Sequence, residues 1–264
     1  MSVAASTHLL LAMASAFLAG GINSVAGGGT LITFPALLAL GLPPIAANAT
    51  STVAIWPGSI GSAWGFRREL RSVRRGLFLL VIPTVLGGIG GALLLRMTPA
   101  AVFAHLVPFL ILLATLLFTV QAPVQRRIRA RLGKEHAAES SGHSPLWLAG
   151  AFAAQFTVGL YGGYFGAGMS IMLLTVLAFL GMEDILQMNG VSSLLSLCAN
   201  GVASLVFASA HMVVWSYVGA MMGAALFGGW AAAGVARRVG KVMVRRFVIA
   251  VGFTIAAVLF VKMF

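Results

Sequence analysis

Ten apolar segments follow one another along the chain, and most are long enough to cross a lipid bilayer. They are predicted at 8–26, 30–41, 45–66, 76–95, 99–120, 146–162, 168–181, 186–209, 213–236 and 245–263. A hydrocarbon core of about 30 Å needs about 20 apolar residues in a helix. Only 8% of the residues are charged, which is too few to cover a soluble surface. We therefore expect an all-α polytopic membrane protein.

The basic residues lie mainly in three stretches between these segments, at 67–75, 121–144 and 237–246. Such clusters mark cytoplasmic loops, so the net charge of +12 indicates contact with membrane lipid rather than nucleic acid. Even numbers of segments separate the three stretches, which places all of them on one side. Both termini are then predicted outside.

The two halves of the chain resemble each other in the order of their residues. Gly28 and Gly41 have the same spacing as Gly168 and Gly181, and Asn48, Ser51 and Thr52 match Asn189, Ser192 and Ser193. These matches predict an internal duplication, with a first membrane repeat at 1–120, a basic cytoplasmic linker at 121–144 and a second repeat at 145–264. Because each repeat holds five segments, the two repeats have inverted topology.

The two shortest segments, 30–41 and 168–181, follow clusters of glycine. They correspond to about 18 and 21 Å of helix, which is less than the hydrocarbon core. Each is either a short broken span or a re-entrant helix, so we expect eight to ten membrane segments. A helix start inside the membrane carries partial positive charge, and glycine lets an anion approach its amides.

Close helix packing is the alternative explanation for glycine in a membrane helix. We expect it for the glycines that lie in mid-segment, away from polar residues: Gly87, Gly88, Gly90, Gly91, Gly228 and Gly229.

Neutral polar residues accompany both glycine turns, whereas all five acidic residues fall in predicted loops. Buried carboxylates serve cation carriers, so their absence from the segments favours an anion. The predicted substrate-binding residues are Gly27, Gly28, Gly29, Thr30, Asn48, Thr50, Ser51, Thr52, Gly166, Gly168, Ser170, Asn189, Ser192, Ser193 and Asn200. The side chains among them have an alternative role in hydrogen bonds between helices.

A few further residues bear on mechanism. His105 and His211 are candidates for a proton relay, and Tyr161 and Tyr164 lie beside the second glycine turn. We find no G-x-S-x-G or H-E-x-x-H motif and predict no catalytic residue, metal or cofactor. A passive anion channel would share these features and stays open as an alternative. An intramembrane enzyme is a weaker one.

Two stretches resemble the repeat signatures of the TauE/SafE family of bacterial membrane anion transporters: GGGTLITFPALLALGLPPIAANATSTVAIWPGSIGSAWGF at 27–66 and GYFGAGMSIMLLTVLAFLGMEDILQMNGVSSLLSLCANG at 163–201. The resemblance implies an inner-membrane secondary transporter for sulfite, sulfoacetate or a related organosulfonate or organic anion. It implies export more than import, with a pathway along the two glycine turns and the polar residues after them. Association into a homo-oligomer stays open. Pro43 and Pro44 have no counterpart beside Glu183 and Asp184, so the two half-sites are expected to be unequal.

Overall fold

The computed structural model describes residues 3–25, 28–73, 75–132, 145–182, 184–239 and 241–263. The regular structure of these residues is helical, which confirms the predicted class. The helices are α1 (Val3–Val25), α2 (Thr30–Ala39), α3 (Pro44–Gly65), α4 (Arg67–Arg71), α5 (Val81–Met97), α6 (Ala100–Leu132), α7 (Pro145–Tyr164), α8 (Met169–Phe179), α9 (Ile185–Ser209), α10 (Trp215–Val239) and α11 (Lys241–Met263), with a 3₁₀ helix at Arg75–Leu80.

The helices carry the lengths and the apolar surface of a membrane protein. Within the described residues, four stretches are long and apolar enough to cross a bilayer: Ser6–Asn23, Gly76–Met97, Ala100–Val120 and Ile185–Ser209. Large side chains such as Leu205, Phe227 and Trp230 are exposed on the outer surface, where water would disfavour them and lipid would not.

Each predicted apolar segment corresponds to one helix of the structure, except that 76–95 comprises the 3₁₀ helix followed by α5. Two differences concern the polar regions between them. The short helix α4 forms within the first basic stretch, and α6 continues as far as Leu132. The first part of the predicted linker 121–144 is therefore helical, and 133–144 lies outside the described residues.

Glycines with positive φ end both short helices. Gly41 has a φ of +86° and Gly181 one of +74°, a conformation that costs residues with a Cβ energy. The Gly41 amide donates to the Leu38 carbonyl over 2.9 Å, and the Gly181 amide donates to the Ala178 carbonyl over 3.1 Å. The matched spacing of these glycines thus corresponds to two helix ends of the same kind.

The helices that follow begin differently. Pro44 stands at the first position of α3, where its missing N–H leaves no bond unmade. Asp184 precedes α9, and its carboxylate accepts a 2.7 Å hydrogen bond from the Leu186 amide. The prolines before α3 therefore lack a counterpart before α9 because the two long helices start in different ways.

In each of two helix pairs, the two helices approach so closely that only glycine fits at their contact. α1 packs on α10, and α5 packs on α7. A methyl group on Gly228 would collide with the Phe17 carbonyl, and one on Gly91 with the Leu160 carbonyl. Gly87 and Gly88 contact the backbone of α7 and α9 in the same way, which confirms the prediction of close packing at these four positions. The prediction was wrong for Gly90, where an added methyl group would meet only the Leu160 side chain at 4.0 Å, and at Gly229 the contact with Gly20 is an ordinary one of 3.5 Å.

Helices α3 and α9 pack on each other and run antiparallel. The Trp56 indole Nε1 donates to the Leu197 carbonyl over 3.0 Å, while Ser62 Oγ lies 3.3 Å from Ser193 Oγ. The Trp56 ring packs against Gly201. α5 packs on α9 and α10 packs on α3. Helices from the first half of the chain therefore pack against helices from the second half.

Replacing Gly91 with Val tests the close packing of α5 on α7. The side chain would meet backbone atoms of Leu160 and Tyr164, and overpacking of this kind costs about 1–3 kcal/mol. We expect a lower midpoint of thermal unfolding for the detergent-solubilised protein. Gly223→Val is the matched control, because no atom lies within 4 Å of that position. Equal losses in the two variants would contradict the packing described.

Candidate functional site

The chain reverses direction at Gly28, immediately before α2. Gly28 has a φ of +90°, and a methyl group on it would collide with the Phe118 ring of α6. The next amide, that of Gly29, donates to Asn23 Oδ1 over 2.8 Å. Gly27, also predicted as a site residue, lies outside the described residues. The start of α2 is therefore fixed by a glycine and by a side chain of α1.

A second reversal joins α7 to α8 through residues 165–168, which we call the α7–α8 turn. Gly166 and Gly168 have φ values of +77° and +79°, and the Tyr161 hydroxyl donates to the Ala167 carbonyl over 2.6 Å. Tyr161 thus reaches the turn, as its position in the sequence indicated. Among the described residues, the Gly168 and Ser170 amides meet no hydrogen-bond acceptor.

Both helix starts contact the same stretch of α6. Gly28 touches Phe118, and a methyl group on Gly168 would lie 3.5 Å from the Ala114 carbonyl oxygen. Ala114 and Phe118 are about one helical turn apart. A second link joins α2 to the α7–α8 turn, because the rings of Phe34 and Phe165 pack edge to face with centroids 5.4 Å apart.

The two helix starts are interior rather than superficial. Gly29 and Gly168 are buried, and Met169, the first residue of α8, is 2% exposed. Thr30 and Ser170 are half-buried, so their hydroxyl groups stand at the edge of this interior region.

Asn48 of α3 is bonded to the end of α7. Its Nδ2 donates to the Tyr164 carbonyl over 3.0 Å, and the side chain is 1% exposed. Its other amide atom, Oδ1, is buried and has no hydrogen-bond partner. A polar group from the first half of the chain therefore stands beside the turn of the second half.

Other predicted residues join each short helix to the long helix after it. Thr33 Oγ1 and Ser51 Oγ lie 2.6 Å apart, which links α2 to α3. The Ser192 hydroxyl donates to the Ser170 carbonyl over 3.4 Å, which links α8 to α9. Asn200 also faces the α7–α8 turn, since its Oδ1 would lie 3.4 Å from a methyl group on Gly166.

Several predicted residues have their bonds elsewhere. Thr50 accepts from the Val214 amide over 3.0 Å, and Thr52 donates to the Asn48 carbonyl of its own helix. Asn189 donates to the Ile185 carbonyl over 2.6 Å, and Ser193 pairs with Ser62 near the far end of α3. The structure does not bring Thr50, Asn189 or Ser193 to the turns.

The two histidines are exposed rather than grouped with the turns. His105 Nδ1 lies 2.7 Å from the Ala101 carbonyl of its own helix. His211 stands in the turn after α9, with a φ of +54°. Both side chains are exposed, so the geometry offers no support for a proton relay through them.

Sequence reasoning missed two contributors, the Phe118 ring and the Tyr164 carbonyl. A large apolar residue in a membrane helix is ordinary in its sequence context, and a backbone carbonyl carries no sequence signal. The one available signal was the cluster of asparagines in apolar segments, because a buried amide must find a partner. That signal indicates that each buried asparagine has a hydrogen-bond partner, but not which residue provides it.

The electrostatics of the region favour negative charge. The start of α8 carries partial positive charge from its aligned peptide dipoles. All acidic residues of the chain lie at 69, 135, 139, 183 and 184, outside α1, α2, α3, α8 and α9. No carboxylate in these helices opposes an anion at the two turns.

Comparison with known proteins places the chain among membrane transporters. The family model described as sulfite exporter TauE/SafE matches residues 12–259. A probable membrane transporter protein of Haemophilus influenzae is 28% identical over 242 residues, 91% of this chain and 90% of that protein. The probable membrane transporter protein YfcA of Escherichia coli K12 is 30% identical over 221 residues, 80% of this chain and 77% of YfcA. No solved structure matches the chain.

The match to the family model runs from within α1 to within α11 and includes both glycine turns. It confirms the resemblance seen in the sequence and the expectation of a transporter rather than an enzyme. The chain belongs to the TauE/SafE family of multi-pass membrane transporters.

Proposed function

We propose that the protein is a secondary transporter that moves a small anion across the bacterial inner membrane, chiefly outward. The substrate class is sulfite, sulfoacetate or a related organosulfonate or organic anion. One observation carries the proposal: two helix starts, each at a glycine with positive φ, meet the same stretch of α6 in the interior. Helix starts bind anions through their amides and dipole.

The proposed site is built around the α7–α8 turn. The free amides of Gly168 and Ser170 are its first donors, and the hydroxyl groups of Thr30 and Ser170 stand close to the two helix starts. Asn48 and Asn200 flank the turn. In this arrangement, amides and hydroxyl groups replace the water that hydrates the anion. We assign no substrate contact to Thr50, Asn189, Ser193, His105 or His211.

The proposed mechanism is alternating access between two inverted repeats. The packing of the helices supports it, because α1 pairs with α10 and α5 pairs with α7. In two matching repeats, α1 corresponds to α7 and α5 corresponds to α10. The pair α1–α10 then corresponds to the pair α7–α5. In transporters built this way, one repeat rocks against the other around a site near the midplane.

The membrane potential supplies the driving force in this proposal. We place the three basic stretches in the cytoplasm and both termini outside. The start of α9 lies on the same side as the first stretch, since Gln187 Nε2 donates to Ser72 Oγ over 3.2 Å. A potential that is negative inside expels an anion with about 2.3 kcal/mol per charge per 100 mV, so export requires no coupling ion.

Flux through proteoliposomes tests the proposed function. Vesicles that hold purified protein are loaded with sulfite, sulfoacetate or chloride, and a potassium diffusion potential is imposed with valinomycin. We expect efflux of the sulfur anions to saturate with concentration and to accelerate as the interior becomes more negative. Flux that rises linearly for every anion would indicate a channel. Flux no faster than that of empty vesicles would contradict anion transport altogether.

The variant Gly168→Ala tests whether the α7–α8 turn is the anion site. Alanine at this φ costs about 1–2 kcal/mol, and its methyl group would enter the space between the turn and Ala114 and Leu117 of α6. The matched control is Gly181→Ala, which has a similar φ of +74° and no atom within 4 Å. We expect similar thermal stability in both variants, but a tenfold or greater loss of flux only in Gly168→Ala. Equal flux in the two would place the site elsewhere.

A further inference from the structure

The amide oxygen of Asn48 is an acceptor without a donor. The residue is 1% exposed, and the described part of the chain offers Oδ1 no partner. The bond from Nδ2 to the Tyr164 carbonyl fixes the orientation, since the flipped amide would set two oxygens against each other. Buried acceptors in native proteins are nearly always paired, so the position indicates that a donor arrives from outside the chain.

The surroundings of this oxygen limit what the donor belongs to. The Asn48 amide is bonded to the residue that ends α7, immediately before the α7–α8 turn. The same turn begins α8, where the Gly168 and Ser170 amides meet no acceptor among the described residues. One small region therefore combines unpaired donors on the backbone with an unpaired acceptor on a side chain.

We propose that the ligand of this turn is a singly charged oxyanion that also carries an O–H or N–H donor. Its oxygens accept hydrogen bonds from the start of α8, and its own donor pairs with Asn48 Oδ1. The inference rests on the proposed function and specifies its substrate. Hydrogen sulfite or a hydroxyalkyl sulfonate fits this description. A fully deprotonated anion would instead turn lone pairs toward Oδ1.

The test compares two sulfonates of equal charge and nearly equal shape. Isethionate ends in a hydroxyl group, and 1-propanesulfonate has a methyl group in its place. Binding of each is measured as the concentration that gives half of the maximal thermal stabilisation of the detergent-solubilised protein. We expect this concentration to be at least about tenfold lower for isethionate, because 1-propanesulfonate leaves the Asn48 oxygen unpaired.

Two variants separate this role from a merely structural one. Asn48→Leu removes the acceptor, so the two sulfonates should then bind equally. Gln155→Leu is the matched control, because Gln155 is also a buried amide with one donated bond, to Thr84 Oγ1, and an unpaired oxygen. It lies between α5 and α7, away from the turn, and the preference for isethionate should persist in it.

Equal half-stabilising concentrations in the unaltered protein would overturn the inference, and would indicate that water alone pairs with the Asn48 oxygen. Stabilisation by neither sulfonate would also overturn it. A protein that still exports sulfonates in vesicles but without this preference would keep the proposed function and lose only the donor requirement. The two failures are therefore distinguishable.

Discussion

A helix that begins inside a membrane leaves backbone amides without partners, and hydrocarbon cannot pair them. We propose that α2 and α8 both begin in this way. At α2, the Gly29 amide is bonded to the Asn23 side chain. Before α8, Asn48 bonds to the carbonyl of Tyr164 at the end of α7 and Tyr161 to the carbonyl of Ala167 in the turn. The amides of Gly168 and Ser170 have no acceptor within the described residues. We propose that an anion pairs with these amides at the second start, beside the hydroxyl group of Thr30 at the first.

The rest of the fold keeps these two beginnings in the interior. Positive φ at Gly28 and Gly168 lets the chain reverse before each short helix, and α6 contacts both reversals. Close contacts of α1 with α10 and of α5 with α7 depend on glycines such as Gly91 and Gly228. Helices of the two halves are thus held together by backbone contact, and the short helices are enclosed between them.

Much of this fold could be predicted from local sequence, and much of the site could not. The matched spacing of Gly28 and Gly41 with Gly168 and Gly181 predicted both short helices, because glycine marks turns whatever the tertiary context. The bond from Asn48 to Tyr164 joins residues 116 positions apart, which no local pattern reveals. Asn189 matches Asn48 in sequence but bonds to the Ile185 carbonyl of its own helix, so matched sequence positions do not have matched contacts.

The accessibility of the two helix starts to water-borne reagents shows whether they share an anion site. Cys198 is the only cysteine, so Thr30→Cys and Ser170→Cys can be made separately in a Cys198→Ala background. The rate of labelling by a small, membrane-impermeant sulfonate thiol reagent is then measured with and without the transported anion. We expect both positions to react and the anion to slow both reactions. Labelling only by lipid-soluble reagents, or at rates that the anion leaves unchanged, would contradict a shared anion site at the two helix starts.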